Sequence, residues 1–230
     1  MVFIIAERFA GRFIVNIEVQ LPGVRLAVVE ADGVAVTPSG AQLVHEMETL
    51  CTRLRQQFTL ESLASAESII SVRAMFRHWG VDPSKYRPSS EALLRRVIQG
   101  KGLYHVSNVV DLTNLGSVEA GWPYGVYNRS QILPPVTLRL GGPGERYEGI
   151  GKRIWHLTDR PVLADAAGPF GSPISDSTRT QISEGVTEVL TVIYAPASSP
   201  DVAVEQAANR QAARLSGFAG AVQTRIRILG

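Results

Sequence analysis

KYRPSSEALLRRVIQGKGLYHVSNVVDLTNLGSVEAGWPYGVYN, Lys85 to Asn128, is the stretch from which the rest of the chain is read. Pro88, Ser89, Ser90 and Glu91 open a short helix that Gly100 closes, with Ala92, Leu93, Leu94, Val97 and Ile98 as its apolar stripe. A second run, His105 to Leu115, sets Val106, Val109, Val110 and Leu112 among Asn108, Asp111, Thr113 and Asn114. One side of it can pack while the other meets a ligand. The spacing fits a helix, and a strand is the alternative.

On the N-terminal side, Phe13–Val19 and Val24–Glu30 alternate apolar and polar residues, which predicts two strands joined near Pro22-Gly23, with Asp32-Gly33 as a turn. From Ser39 the period lengthens. Leu43, Met47, Leu50, Leu54 and Phe58 mark a long helix with Arg53 and Arg55 outward, and Leu63–Trp79 a further one packing through Ile69, Ile70, Val72, Met75 and Phe76. His45 has no partner at metal-ligand spacing and reads as a surface residue.

On the C-terminal side, Val136–Leu140, Arg146–Gly149, Ile154–Leu157 and Val162–Ala164 are short extended pieces cut by Gly, Pro and Asp. Thr187–Tyr194, rich in Val, Leu, Ile and Thr, reads as a central strand. Pro200–Leu215 is a helix facing inward through Val202, Val204, Ala208, Ala212 and Leu215, and Val222–Leu229 is a last strand.

With 230 residues, 45% of them hydrophobic, the chain can bury a sizeable core. A net charge of +2 does not by itself mark a nucleic-acid binder, but the charge is uneven. Arg73 to Lys101 holds seven bases against Asp82 and Glu91, a local +5 that leaves −3 for the remainder. That stretch is either a solvated face or a phosphate contact, in which case Arg87, Arg95, Arg96 and Lys101 bind RNA. The lone Cys51 excludes an internal disulfide and sits at a core position of its helix. The apolar run that opens MVFIIAERFAGRF is too short for a signal peptide or a membrane span, so a soluble cytoplasmic protein is expected, with no membrane partner.

Local motifs for common chemistries are missing. GGPGERYEGIGKR, Gly141–Arg153, has Arg146 and Arg153 where a phosphate loop needs glycine and a hydroxyl. There is no dinucleotide fingerprint, nucleophile elbow, paired histidine motif or cysteine cluster, so nothing local supports a metal. His105 and His156 have no identified acid-base partner. The loop Gly168–Thr180 does gather polar groups. Ser175, Asp176, Ser177, Arg179 and Thr180 either form a self-contained turn, with Arg179 paired to Asp176, or line a pocket with Arg179 toward a phosphate or carboxylate. Trp122, Tyr124 and Tyr127 either stack on an aromatic ligand or fill a core.

The order SNVVDLTN, GWPYGVYN, GERYEGIGKRIWHL, PVLADAAGPFG, TEVLTVIYAP resembles the editing and tRNA-binding domain, B3/B4, of the bacterial phenylalanyl-tRNA synthetase beta subunit, over roughly Asp82 to Pro196. The resemblance implies a free-standing member of that family, an α/β (α+β) fold in one compact interleaved unit with mixed sheets and flanking helices, and no metal or organic cofactor. Residues 82–196 would be the synthetase-like segment, with 1–81 and 197–230 packed on it. In that family a pocket hydrolyses an ester wrongly attached to tRNA. A pocket shaped for phenylalanine rejects tyrosine only about 10²-fold, so a second sieve is needed. The family's pocket asparagine falls on Asn114 and its pocket glycine on or beside Gly171. Its histidine falls on Gly125 and its glutamate near Ile193, and its Thr-x-Ala pair has no counterpart.

The expected substrate-binding set is therefore Asn114, Gly171, Ser175, Asp176, Ser177, Arg179, Thr180 and Tyr127, with no catalytic residue assigned. The expected function is hydrolysis of a mischarged aminoacyl-tRNA in trans, or non-catalytic binding of tRNA or an amino-acid-like ligand.

Overall fold

A computed structural model describes residues 8–9 and 12–230. The strands are β1 Arg8–Phe9, β2 Arg12–Phe13, β3 Ile17–Val19, β4 Val24–Asp32, β5 Tyr124–Asn128, β6 Val136–Leu140, β7 Arg146–Glu148, β8 Ile154–His156, β9 Pro161–Asp165, β10 Gly168–Gly171, β11 Glu188–Pro196 and β12 Gln223–Leu229. The helices are α1 Ala41–Gln57, α2 Leu60–Leu63, α3 Glu67–His78, α4 Ser89–Ile98, α5 Asn108–Ala120 and α6 Asp201–Ala219. Helices and two four-stranded sheets share one apolar core, so the fold is α+β as expected. The apolar run ahead of Glu7 lies outside the described residues.

The main sheet runs β12-β4-β11-β5, antiparallel throughout. β11 is buried from Val189 to Pro196, which is why its composition reads as that of an interior strand. The second sheet runs β10-β9-β6-β3, with only β3 and β6 parallel.

The hairpin expected across Pro22-Gly23 does not form. β4 is buried on both faces and lies between β11 and β12, so neither of its edges is left for β3. Gly23, at φ +77°, turns the chain from one sheet to the other, and Gln20 N–H bonds Leu138 O at 2.9 Å instead.

The helices follow their periodicity with local exceptions. α1 buries Leu43, Met47, Leu50, Cys51 and Leu54. The helix expected over Leu63–Trp79 is two helices: a capping box of Thr59 and Ser62 starts α2, and the chain restarts at Glu67. Ile70 and Val202, both expected inward, are exposed, and so is Ala92. Each stands one or two positions off a buried three-to-four stripe.

Between His105 and Leu115 the helix prevails. Ser107 caps α5 through Val110 N–H at 3.4 Å, and Gly121, at φ +73°, ends it. α5 packs against α1, α4, α6 and β5 and is buried nearly all round, so the expected ligand face is mostly occupied. Asn108 donates to Ala35 O (2.8 Å) and Phe218 O (3.1 Å), while Asp111 accepts from Ser39 Oγ (2.6 Å) and Val106 N–H (2.9 Å). These side chains tie loops to the helix and are satisfied there.

Candidate functional site

β5 is an edge strand of the main sheet, and its far side is covered by the loop after β10. Ser172 shapes that loop, accepting from the amides of Ile174 (3.2 Å) and Ser175 (3.0 Å) and donating to Ser175 O (2.7 Å). The turn delivers Asp176 to Tyr127, whose hydroxyl donates to Oδ1 at 2.8 Å, and Ser172 N–H donates to the same oxygen at 3.2 Å. The Tyr127 and Tyr194 hydroxyls lie 3.3 Å apart.

Burial pushes the Asp176 carboxyl up to about 7, against the opposing pull of the hydrogen bonds from Tyr127 and the backbone amides of Ser172 and Val126. Burial also lifts the Tyr127 and Tyr194 phenols well above their ordinary range, so both are neutral donors near neutrality.

The Tyr127 ring lies between two glycines. A Cβ at Gly125 would come within 2.0 Å of its hydroxyl oxygen, and one at Gly171 within 2.3 Å. The ring also meets Phe170 edge-on, with centroids 5.0 Å apart. Tyr127 is thus a core plug rather than a ligand contact, and its hydroxyl stands where a side chain at position 125 would begin. Ile193, the other departure, is fully buried.

Beside this knot a cavity of about 230 Å³ opens between α5, β5 and the loop. Asn114 and Thr113 of α5 line it from one side, Asp176 and Gln181 from the other, with Tyr124, Val126, Ile150 and Ile182 between and Val106 at its margin. The amide-bearing helix and the glycine-rich loop therefore share one small, largely apolar space. It has the size of an amino-acid side chain.

The rest of the expected substrate set lies elsewhere. Arg179 pairs with Asp165, at 2.8 and 3.1 Å, and not with Asp176, because the turn Thr178–Thr180 carries it back over the β9–β10 hairpin. Ser177 caps that turn through Arg179 N–H at 3.1 Å. Thr180 is fully buried against Phe170 O, Gly171 packs on the Tyr127 ring, and Ser175 is held in the Ser172 turn.

The basic stretch also divides. Glu91 is buried and receives Arg73 at 2.7 and 2.8 Å and Arg95 at 2.9 Å, with Arg87 at 3.6 Å. Burial alone would raise its carboxyl, but the two bonded arginines hold it below its ordinary value. Arg95 is thus half of a structural ion pair. Arg96 instead lies over the ring of Tyr104, 3.9 Å from the centroid, and Tyr104 is half exposed. Arg96, Lys101 and Tyr104 are common to two adjoining hollows of about 600 and 390 Å³, and Arg55 and His105 line the larger, so together they form one groove.

Of these, Tyr104 has no place in the sequence-based expectations, while Arg55 is expected outward on its helix and His105 is weighed only as an acid-base group, neither as a groove contact. The available signal was an aromatic residue in Gly100-Lys-Gly-Leu-Tyr104 with no periodicity to bury it. Trp122 and Tyr124 are core residues, and His156 and His45 are exposed. Among the described residues, no cluster of His, Cys, Asp or Glu is arranged to hold a metal, and no helix is long and apolar enough to cross a membrane.

Residues 71–214, more than half of the chain, match the family model described as B3/4 domain. The chain belongs to the B3/4 domain family. It is 30% identical over 113 residues to the phenylalanine–tRNA ligase beta subunit of Thermobifida fusca, covering 48% of this chain and 13% of that protein. Against the same subunit of Streptomyces avermitilis it is 27% identical over 133 residues, covering 57% and 16%. The chain thus spans only a small part of the curated relatives it matches. Among solved structures, an N-terminal fragment of the phenylalanyl-tRNA synthetase beta subunit of Pyrococcus horikoshii aligns with 93% of this chain and 50% of that one, at 14% identity and a TM-score of 0.41.

Proposed function

We propose that this B3/4 protein binds aminoacyl-tRNA in trans and hydrolyses its ester. The observation that carries the reading is continuity. Tyr104 and His105 line the basic groove and the very next residue, Val106, lines the cavity of Asn114 and Asp176. A single strand laid in the groove, with its phosphates near Lys101 and Arg96 and a base on Tyr104, ends beside a space sized for one amino acid. Asn114 and the loop side of the cavity hold the acyl group while water attacks the ester carbonyl. Kinship with subunits of a tRNA ligase makes tRNA the nucleic acid of choice.

The alternative is non-catalytic binding of tRNA or an amino-acid-like ligand, and Gly125 favours it. The family position expected to carry histidine has no side chain, and Tyr127 fills the adjoining space. A panel of mischarged tRNAs separates the two. Release above the spontaneous rate for at least one species supports hydrolysis. Salt-sensitive filter binding without release supports the binder, and no binding at low salt removes both.

A further inference from the structure

We propose that Asp176 is the general base of this hydrolysis, with Tyr127 as its positioning residue. The inference rests on the function proposed above and gives the reaction a base that Gly125 cannot supply.

Three observations converge on it. Asp176 lines the same cavity as Asn114, the space proposed above to hold the acyl group. Oδ1 is fixed from two directions, by the Tyr127 hydroxyl at 2.8 Å and Ser172 N–H at 3.2 Å, which holds the carboxyl at one orientation on the cavity wall. The ionisable groups around it are the phenols of Tyr127 on β5, Tyr194 on β11 and Tyr147 on β7, and Arg179 is taken up by Asp165. No basic side chain among the described residues pairs with Asp176, so nothing holds it in the strongly acidic range. A base whose pKa, about 7, lies near the working pH combines a useful ionised fraction with a real affinity for the proton.

The step balances without a further reactant. Asp176 takes a proton from water as the water oxygen bonds to the ester carbonyl carbon, and the carbonyl π pair moves onto its oxygen. Collapse re-forms the carbonyl and breaks the carbon–oxygen bond to the ribose, which receives the proton from Asp176. The products are the free amino acid and a tRNA with its terminal hydroxyl restored.

The test is single-turnover deacylation of the most reactive charged tRNA from pH 5 to 9, corrected for spontaneous hydrolysis. Wild type, D176N, D176A and Y127F are compared, with thermal melting to confirm folding. The wild-type rate is expected to climb to a plateau through a limb near pH 7. D176N is expected to fall about 10²-fold or more and lose the limb. Added formate partly restores D176A. Y127F removes a donor that both lowers the Asp176 pKa and orients its carboxyl, so its limb moves to higher pH and its plateau falls below that of wild type. D176N retaining the wild-type limb overturns the inference and leaves ester hydrolysis standing. If D176N and D176A do not fold, an unmoved limb in Y127F overturns it. Wild type that deacylates nothing overturns both.

Discussion

The Gly168–Thr180 loop and the connection from Gln99 to Val106 both combine glycines with polar or aromatic side chains, yet the first turns those groups on itself and the second leaves them outside. Ser172, Ser177, Thr180 and Arg179 each bond within the loop or to the hairpin it follows. Tyr104 remains half exposed, with Arg96 stacked on it and Lys101 beside it in an open groove. Composition is a poor guide to which polar residues meet a ligand, because Ser, Thr and Asp are as well suited to closing a turn as to binding one. The partner already in place decides it. Asp176 belongs to both categories, bonded on one side and facing a cavity on the other.

The largest effects that sharpen this contrast belong to the self-satisfied region. G171A and G125A each drive a Cβ into the Tyr127 ring, and overpacking there is expected to cost about 3 kcal/mol, measured as a lower midpoint in urea. D176N should be close behind, as a stabilisation whose size depends on pH. A raised carboxyl pKa means the folded chain keeps a proton that the unfolded chain has lost, so stability is fully present below about pH 4 and falls as pH rises toward 7. D176N removes that penalty. It should leave stability little changed at pH 4 and raise it by roughly 2 to 4 kcal/mol at pH 8. Greater wild-type than D176N stability at pH 8 would refute the shift.

Smaller effects separate the arginines. E91Q keeps one accepting oxygen but removes the negative charge that Arg73 and Arg95 share, and is expected to cost about 2 kcal/mol, reduced from the fully buried case because the arginines are partly solvated. R95A should lower the melting temperature but leave the salt dependence of tRNA binding near that of wild type. R96A and K101A should do the reverse. Each should cost about 1 kcal/mol of binding or less and reduce the slope of log K against log salt by about one. Equal binding losses for R95A and R96A would erase the distinction.

Much of the fold was legible because burial enforces period. α1 followed its three-to-four stripe, α4 and α6 did so apart from Ala92 and Val202, and β11 showed the Val-, Leu- and Ile-rich run, interrupted by Thr191, of a strand covered on both faces. The failures have local causes. Pro22-Gly23 is as suitable for a hairpin as for a change of sheet, and only the burial of β4 on both faces chooses between them. The break before Glu67 rests on a capping box, Thr59 to Ser62, that lies outside the apolar pattern. The site was legible only in part. Asn114 and Asp176 were singled out, but that Asn108 and Asp111 would be consumed by the loop around Ala35 to Ser39 depends on contacts distant in sequence. Arg179 finding Asp165 rather than Asp176 depends on a turn of three residues.

The join between groove and cavity is tested most directly by photo-crosslinking a tRNA that carries a photoreactive terminal nucleotide, followed by mapping of the attached peptide. Attachment is expected within Tyr104–Asn114, competed away by unlabelled tRNA and lost at high salt. Competable attachment confined to β12 or to the β7–β8 hairpin would contradict it.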